Sequence, residues 1–196
     1  MVVVPGRSIR KPRADAAANR ERVLDAATVL VRLKGDRVPM EEIAKSAGVG
    51  KGTLYRHFGS REVLLGALVR QSFVLALANA RAAASEPGPA IDGIRSFLTA
   101  TLRDRERFVM PLHGGPAIFD AETREMQAEI RGVLQVLLDR GQSAREIRED
   151  LTPVDLILSA ALLSRPLPAT TDWDAVAHRQ IDLMLNGLRA RGLGVT

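Results

Sequence analysis

Lys51, Thr53, Tyr55, Arg56 and His57 fall within seven consecutive positions. Together they offer an ammonium, a hydroxyl, a phenol, a guanidinium and an imidazole, all hydrogen-bond donors. Donors and positive charge on one short helix suit the acceptors of a double helix, the phosphate oxygens and the purine edges in the major groove. Lys51, at the start of the run, suits guanine O6 and N7. Gly52 would let the backbone approach the bases, and Thr53 suits a thymine methyl or a base acceptor. Arg56 either reaches a phosphate or faces water, and Tyr55 serves as a donor or as a packing residue.

The flanking residues supply the elements that would hold these groups. A helix over about 39–47 turns Ile43, Ala44 and Ala47 inward, with Pro39 in its first turn, where a missing N–H costs nothing. Gly48 supplies a left-handed turn, and Val49 drops into the core. A second helix over about 51–57 has Leu54 and Phe58 inward and the polar set outward. This is the pattern of a helix-turn-helix, whose second helix enters the major groove. An earlier helix, Asn19 to about Lys34, carries Val23, Leu24, Ala27, Leu30 and Val31 at helical spacing, and Gly35 ends it. Gly59-Ser60 breaks the pattern, Ser60 caps the next helix, and that helix runs to about Ser85 before Glu86-Pro87-Gly88-Pro89 stops it.

The charge distribution agrees. Residues 1–70 hold 14 Lys/Arg against 7 Asp/Glu, whereas residues 71–196 hold 14 against 16, so the net +5 is concentrated on the first third. Local positive charge is the electrostatic footprint of a polyanion binder, although a merely basic surface has the same sign. Residues 1–18, with Arg7, Arg10, Lys11 and Arg13 among Pro5, Gly6 and Pro12, read as a basic, disordered arm. At 46% hydrophobic and 26% charged, the 196 residues suffice for a soluble globular core. The absence of cysteine excludes disulfides and thiolate metal sites. No apolar run approaches the roughly 20 residues of a membrane span, and the start is too short an apolar stretch for a secretory signal, so the expected location is cytoplasmic, with no membrane partner.

Beyond the long helix the pattern stays helical. Ala90 to about Arg107 and Ala117 to Arg140, the latter ended by Gly141, flank a Pro/Gly-rich bend at 108–116. Pro153 to about Leu163 is nearly all apolar, and a last helix covers about Asp172 to Ala190. No strand alternation of useful length appears. The expected fold is all-α with about nine helices, divided into the arm, a helix-turn-helix domain at 19–65 and a body at 66–196.

Ala44, Ala47-Gly48-Val49, Gly52-Thr53-Leu54-Tyr55, His57-Phe58, Arg61-Glu62 and Leu64-Leu65 stand in an order and spacing that resembles the TetR family of bacterial transcriptional regulators. The resemblance covers about residues 19–70. It implies a homodimer of nine-helix subunits that read an inverted repeat of double-stranded DNA. It also implies a body that encloses a small-molecule pocket, a dimer interface in the last two helices, and a fourth helix that ligand binding shifts. It further implies that Tyr55 and His57 donate to phosphates, and that Arg61 does so where lysine is usual. Two departures weaken individual backbone contacts: Met40 stands where a threonine hydroxyl often meets a phosphate, and Gly50 replaces a serine cap.

Within the body, Phe97, Phe108, Met110, His113, Phe119 and Met126 are the bulky residues around the bend. Phe and Met line adaptable apolar pockets, so these six are the candidate site for a small apolar or amphipathic ligand, with His113 its titratable group; each would equally serve as plain core. Leu156, Ile157, Ala160 and Ala161 lie on a helix apolar over most of its surface, and with Met184, Leu185 and Leu188 they form the expected dimer seam. His57, His113 and His178 lack metal-ligand spacing, and there is no phosphate loop or nucleophile elbow. No enzyme, metal or cofactor is expected. Two functions remain: a repressor released from a palindromic operator by a ligand, or a ligand-independent architectural or partner-controlled DNA-binding protein.

Overall fold

The computed structural model describes residues 12–113 and 115–189, the side chains of residues 12–14 and 113 excepted. Eight α-helices lie in this range: α1 (Pro12–Lys34), α2 (Met40–Ser46), α3 (Lys51–Phe58), α4 (Arg61–Ser85), α5 (Ala90–Arg103), α6 (Ala121–Ser143), α7 (Pro153–Leu163) and α8 (Trp173–Leu188). Single 3₁₀ turns occur at Arg105–Arg107 and Pro111–His113. Among the described residues the only β-type pairing is one bridge between Ile147 and Arg189, so the fold is all-α, with eight helices where about nine were expected. The chain divides into two compact units, residues 1–67 and 68–196, with the boundary inside α4.

In the first unit, α1, α2 and α3 pack on one another, and Val23, Leu24, Ala27 and Val31 of α1, Ile43 and Ala44 of α2, Leu54 and Phe58 of α3 and Leu64 at the start of α4 are buried. Local chemistry sets the corners. Gly35 (φ +83°) donates to Val31 O and ends α1, and Gly48 (φ +63°) takes the left-handed conformation that swings α3 away from α2. Ser60 Oγ accepts from Val63 N at 3.3 Å and caps α4. The Arg20 guanidinium lies 5.3 Å from the centre of the Phe58 ring. α1 begins at Pro12, seven residues ahead of the expected start. Pro at the first helical position, Asp15 in the first turn and the Ala16-Ala17-Ala18 run all favour the earlier start. Residues 1–11 of the expected arm lie outside the described residues.

In the second unit, α5 is central and packs against α6, α7 and α8. Gly93 lets α5 lie close to the end of α4 and to α6: a Cβ there would sit 2.7 Å from Ala83 O and 3.0 Å from Leu137 Cδ1. α5 stops at Arg103 rather than continuing to Arg107. The buried Asp104 carboxylate accepts from Asn79 Nδ2 (3.2 Å) and Arg107 Nη1 (3.3 Å), drawing the chain into the first 3₁₀ turn. Ser72 Oγ of α4 donates to Leu68 O and accepts from Val109 N at 2.8 Å, which fixes the segment between the two turns. α6 starts at Ala121 instead of Ala117 because the Asp120 side chain accepts from Thr123 N and caps it. It also runs past Gly141 to Ser143. Gly141 is not a terminator; it is buried where Ile147 and Ala90 press against the helix, and a Cβ would lie 2.8 Å from that of Ala90.

α4 corrects the expectation about apolar runs. Its 25 residues include an 18-residue window of mean hydropathy 1.6, long and apolar enough to cross a membrane. Half of that window is buried inside the protein, where Val69, Phe73, Leu77, Ala80 and Ala83 belong to the body core.

Candidate DNA-binding surface and ligand cavity

α3 has two turns and is capped at its start only by Gly50, which supplies no side-chain acceptor. Leu54 and Phe58 anchor it to the core. Lys51, Gly52, Tyr55 and Arg56 are exposed along one face, flanked by half-buried Thr53 and His57. Lys51 Nζ lies 5.9 Å from the centre of the Tyr55 ring, and Arg56 Nη2 donates to Thr53 Oγ1 at 3.3 Å. A Cβ built on Gly52 meets nothing within 4 Å, and its backbone is not left-handed. The fold itself therefore gives no reason for glycine here, although an exposed helical Gly costs about 1 kcal/mol relative to Ala.

Glu41, in the first turn of α2, forms an ion pair with Lys51 that the sequence reading missed. The two are ten positions apart, and only the Gly48 turn brings them together. The hydrogen-bonded ammonium holds the Glu41 carboxyl below its usual value, and Glu41 raises Lys51. Both side chains are more than half exposed, so the pair exchanges easily for another partner. Arg61 is also already engaged: Nη1 donates to Asp36 O (2.9 Å) and Val38 O (2.6 Å), tying α4 to the α1–α2 loop. Met40 is buried in the head core.

In the body, Phe97, Phe108, Met110 and Phe119 line a cavity of about 240 Å³. Met126 is half-buried against the same core but off the cavity wall, and the His113 side chain lies outside the described residues. Sequence reasoning missed the contribution of other elements. α4 supplies Phe73 and Ala76, α6 supplies Gln127 and Ile130, and α7 supplies Ile157, Ala160 and Ala161. Nothing local marks these positions, which are ordinary apolar sites on their helices, apart from Gln127. The Phe73 and Phe119 rings are tilted by 59° with centres 6.1 Å apart. Thr101 Oγ1 donates to Phe97 O, and Gln127 makes no hydrogen bond among the described residues.

The residues expected at the dimer seam differ in burial. Leu156, Ala160, Ala161 and Leu185 are buried within the single chain, and Ile157, Met184 and Leu188 are half-buried against the same core. α5 and the cavity claim that side of α7, because α5 needs an apolar partner on each flank. The exposed apolar side of α7 is Val154, Leu158 and Leu162, spaced four residues apart, with Leu162 72% exposed. α8 exposes Val176 and Leu183, seven apart.

The sequence model for bacterial regulatory proteins of the tetR family matches residues 23–68, and that for the C-terminal domain of SbtR-like transcriptional regulators matches residues 94–190. The chain belongs to the TetR family. HTH-type transcriptional regulators of Staphylococcus aureus are 43% identical to this TetR-family protein over 53 residues, which is 26% of its chain and 29% of theirs. The crystal structure of a TetR transcription regulatory protein from Mycobacterium vanbaalenii is 29% identical, with a TM-score of 0.62 over 90% of this chain and 98% of that one. AibR, solved in complex with isovaleryl coenzyme A and operator DNA, shares the fold at 16% identity, with a TM-score of 0.70 over 88% of this chain and 98% of its own. The protein is thus a TetR-family transcriptional regulator with a DNA-binding helix-turn-helix, and α3 is the second helix of that motif.

Proposed function

We propose that this regulator is a homodimeric repressor that grips an inverted-repeat operator with α3 of each subunit and releases it when a small molecule fills the body cavity. The observation that carries the ligand-controlled reading is that α4 lines the cavity with Phe73 and Ala76 and is one uninterrupted helix back to Arg61. A ligand that displaces the cavity end of such a helix moves its other end. AibR, of the same fold, holds both a small molecule and operator DNA.

On the DNA side, Lys51 and Thr53 read bases, and Gly52 admits the bases to the backbone, which accounts for a glycine the fold does not need. Tyr55, Arg56, His57 and the remaining donors of Arg61 hold phosphates. A helix this short contacts few bases, so two subunits on a two-fold axis are needed for useful specificity. The stripe Val154, Leu158, Leu162, with Val176 and Leu183 of α8, is the surface available for pairing. A Leu158→Glu, Leu162→Glu double variant gives monomers by light scattering, whereas a dimer that survives both changes would move the interface elsewhere. A protein acting on DNA works in the cytoplasm, and its role is regulatory rather than catalytic.

In-vitro selection from random double-stranded DNA at near-physiological salt tests this function. Enrichment of one inverted repeat, with a log–log salt slope of roughly −5 to −7 for six to eight phosphate contacts, supports it. Salt-sensitive binding with no enriched sequence would replace it with an architectural role.

A further inference from the structure

The cavity wall narrows the chemistry of the ligand, given the reading of this cavity as the effector site. We propose that it takes an uncharged, largely apolar molecule of roughly ten non-hydrogen atoms, whose single polar group is hydrogen-bonded by the Gln127 carboxamide. The size follows from volume: an apolar cavity of about 150 Å³ accommodates benzene, so one of about 240 Å³ holds roughly ten atoms by the same ratio. The charge state follows from the wall. Among the described residues that line it, none is ionisable. A carboxylate, phosphate or ammonium would be stripped of water with no opposite charge to meet it, which is the most unfavourable exchange available to a binding site.

The polar requirement follows from the two polar side chains on the wall. The Thr101 hydroxyl proton is committed to Phe97 O. Gln127 has a donor and an acceptor and spends neither among the described residues. It can therefore pair with a hydroxyl, a phenol or a carbonyl, and a site built to pair such a group discriminates against molecules that lack it. Phe73, Phe97, Phe108 and Phe119 supply ring edges and faces for the rest of the molecule, so a compact ring with a short apolar substituent fits the wall better than a long flexible chain. The phosphates of a conjugate like the isovaleryl coenzyme A held by AibR would meet no cation among the described residues of this wall.

The test uses the full-length chain without DNA at about pH 8, with calorimetry and thermal melting against 4-propylphenol, propylbenzene and 4-propylbenzoate. These are similar in size, and only the last is ionised. The expected order is the phenol first, propylbenzene about three- to tenfold weaker, and the benzoate weaker again by at least about tenfold. Gln127→Leu should abolish the advantage of the phenol while leaving propylbenzene binding intact. Filling the cavity by Ala76→Leu, or by Ile157→Phe if the first variant melts early, should remove all binding. Benzoate binding as tightly as the phenol, or a phenol preference that survives Gln127→Leu, overturns the ligand class. Binding of no probe, or binding that survives the filled cavity, overturns the effector-site reading and the ligand class with it. Probe binding by a protein that selects no DNA sequence would leave the ligand class standing and defeat only the operator reading.

Discussion

Arg61 offers a direct contest between two physical roles. Its resemblance-based role is a phosphate contact, whereas the structure shows Nη1 donating to Asp36 O at 2.9 Å and Val38 O at 2.6 Å. Arg61→Ala removes both bonds and leaves two loop carbonyls without that donor. Hydrogen bonds to a charged group contribute about 1.5–3 kcal/mol each. Asp36 is exposed, so water replaces most of its bond, whereas Val38 is buried and its carbonyl is harder to resolvate. A total loss of about 2 kcal/mol is the consistent figure. For a chain of this size, about 2–4 °C per kcal/mol gives a fall in Tm of about 4–8 °C. Arg61→Lys keeps the charge but not the planar fork that reaches two acceptors, and should fall between. The assay pairs circular-dichroism melting with a salt series of DNA binding at low temperature, where the variant remains folded. An unchanged Tm, together with a salt slope reduced by about two for the dimer, would refute the clamp and leave Arg61 as a phosphate contact alone.

Four further outcomes follow from the same geometry. Lys51→Ala should weaken operator binding and relax preference at one base pair, whereas Tyr55→Phe weakens matched and scrambled DNA alike; equal losses on both DNAs for Lys51→Ala would remove its base-reading role. Glu41→Gln frees Lys51 from its ion pair and removes a negative charge beside the DNA face, so affinity for all sequences should rise and the salt slope steepen, as measured by fluorescence anisotropy. Gly141→Ala forces a methyl against Ile147 and Ala90 and should cost about 1–3 kcal/mol in urea denaturation, while Gly132→Ala on the same helix, with nothing within 4 Å, should stabilise by up to about 1 kcal/mol. Asp120 is held at about 2 by the Thr123 backbone N–H first and the Arg70 guanidinium second, against an ordinary 3.8. Its folded value is the lower one, so the stabilisation by the charged cap is complete well above pH 3.8 and fades as pH falls from 3.8 through about 2. The stability deficit of Asp120→Ala should be full at neutral pH and shrink across that window; a deficit independent of pH would mean that the charge has no part in the cap.

Features governed by neighbours in the chain were legible in the sequence. Gly35 and Gly48 end and turn helices because their own backbones take positive φ, and Ser60 caps α4 because its acceptor is three residues from the donor. The periodicity of Val23, Leu24, Ala27 and Val31 and of Leu54 and Phe58 identifies inward faces by itself, because each helix there has one apolar side. The helix-turn-helix follows from the same kind of local pattern.

Tertiary structure decided whatever depends on what stands opposite a residue. Gly141 resembles a terminator in the sequence but serves close packing, since only the approach of Ile147 and Ala90 reveals the need for no side chain. α7 is apolar on most sides, so its composition could not say which stripe meets its own core. Packing against α5 and α6 buried Leu156, Ala160 and Ala161 and left Leu158 and Leu162 outside. Glu41 meets Lys51 across a turn, and Phe73 of α4 meets Phe119 just ahead of α6, where no spacing rule applies. The sequence by itself thus determined the helix-turn-helix, its corners at Gly35, Gly48 and Ser60 and the donor-bearing face of α3, all of which rest on short-range backbone and side-chain preferences. The cavity, the apolar side chains that several helices bring to its wall and the outward stripe of α7 were decided only by folding, because each exists only where side chains distant in sequence meet or fail to meet.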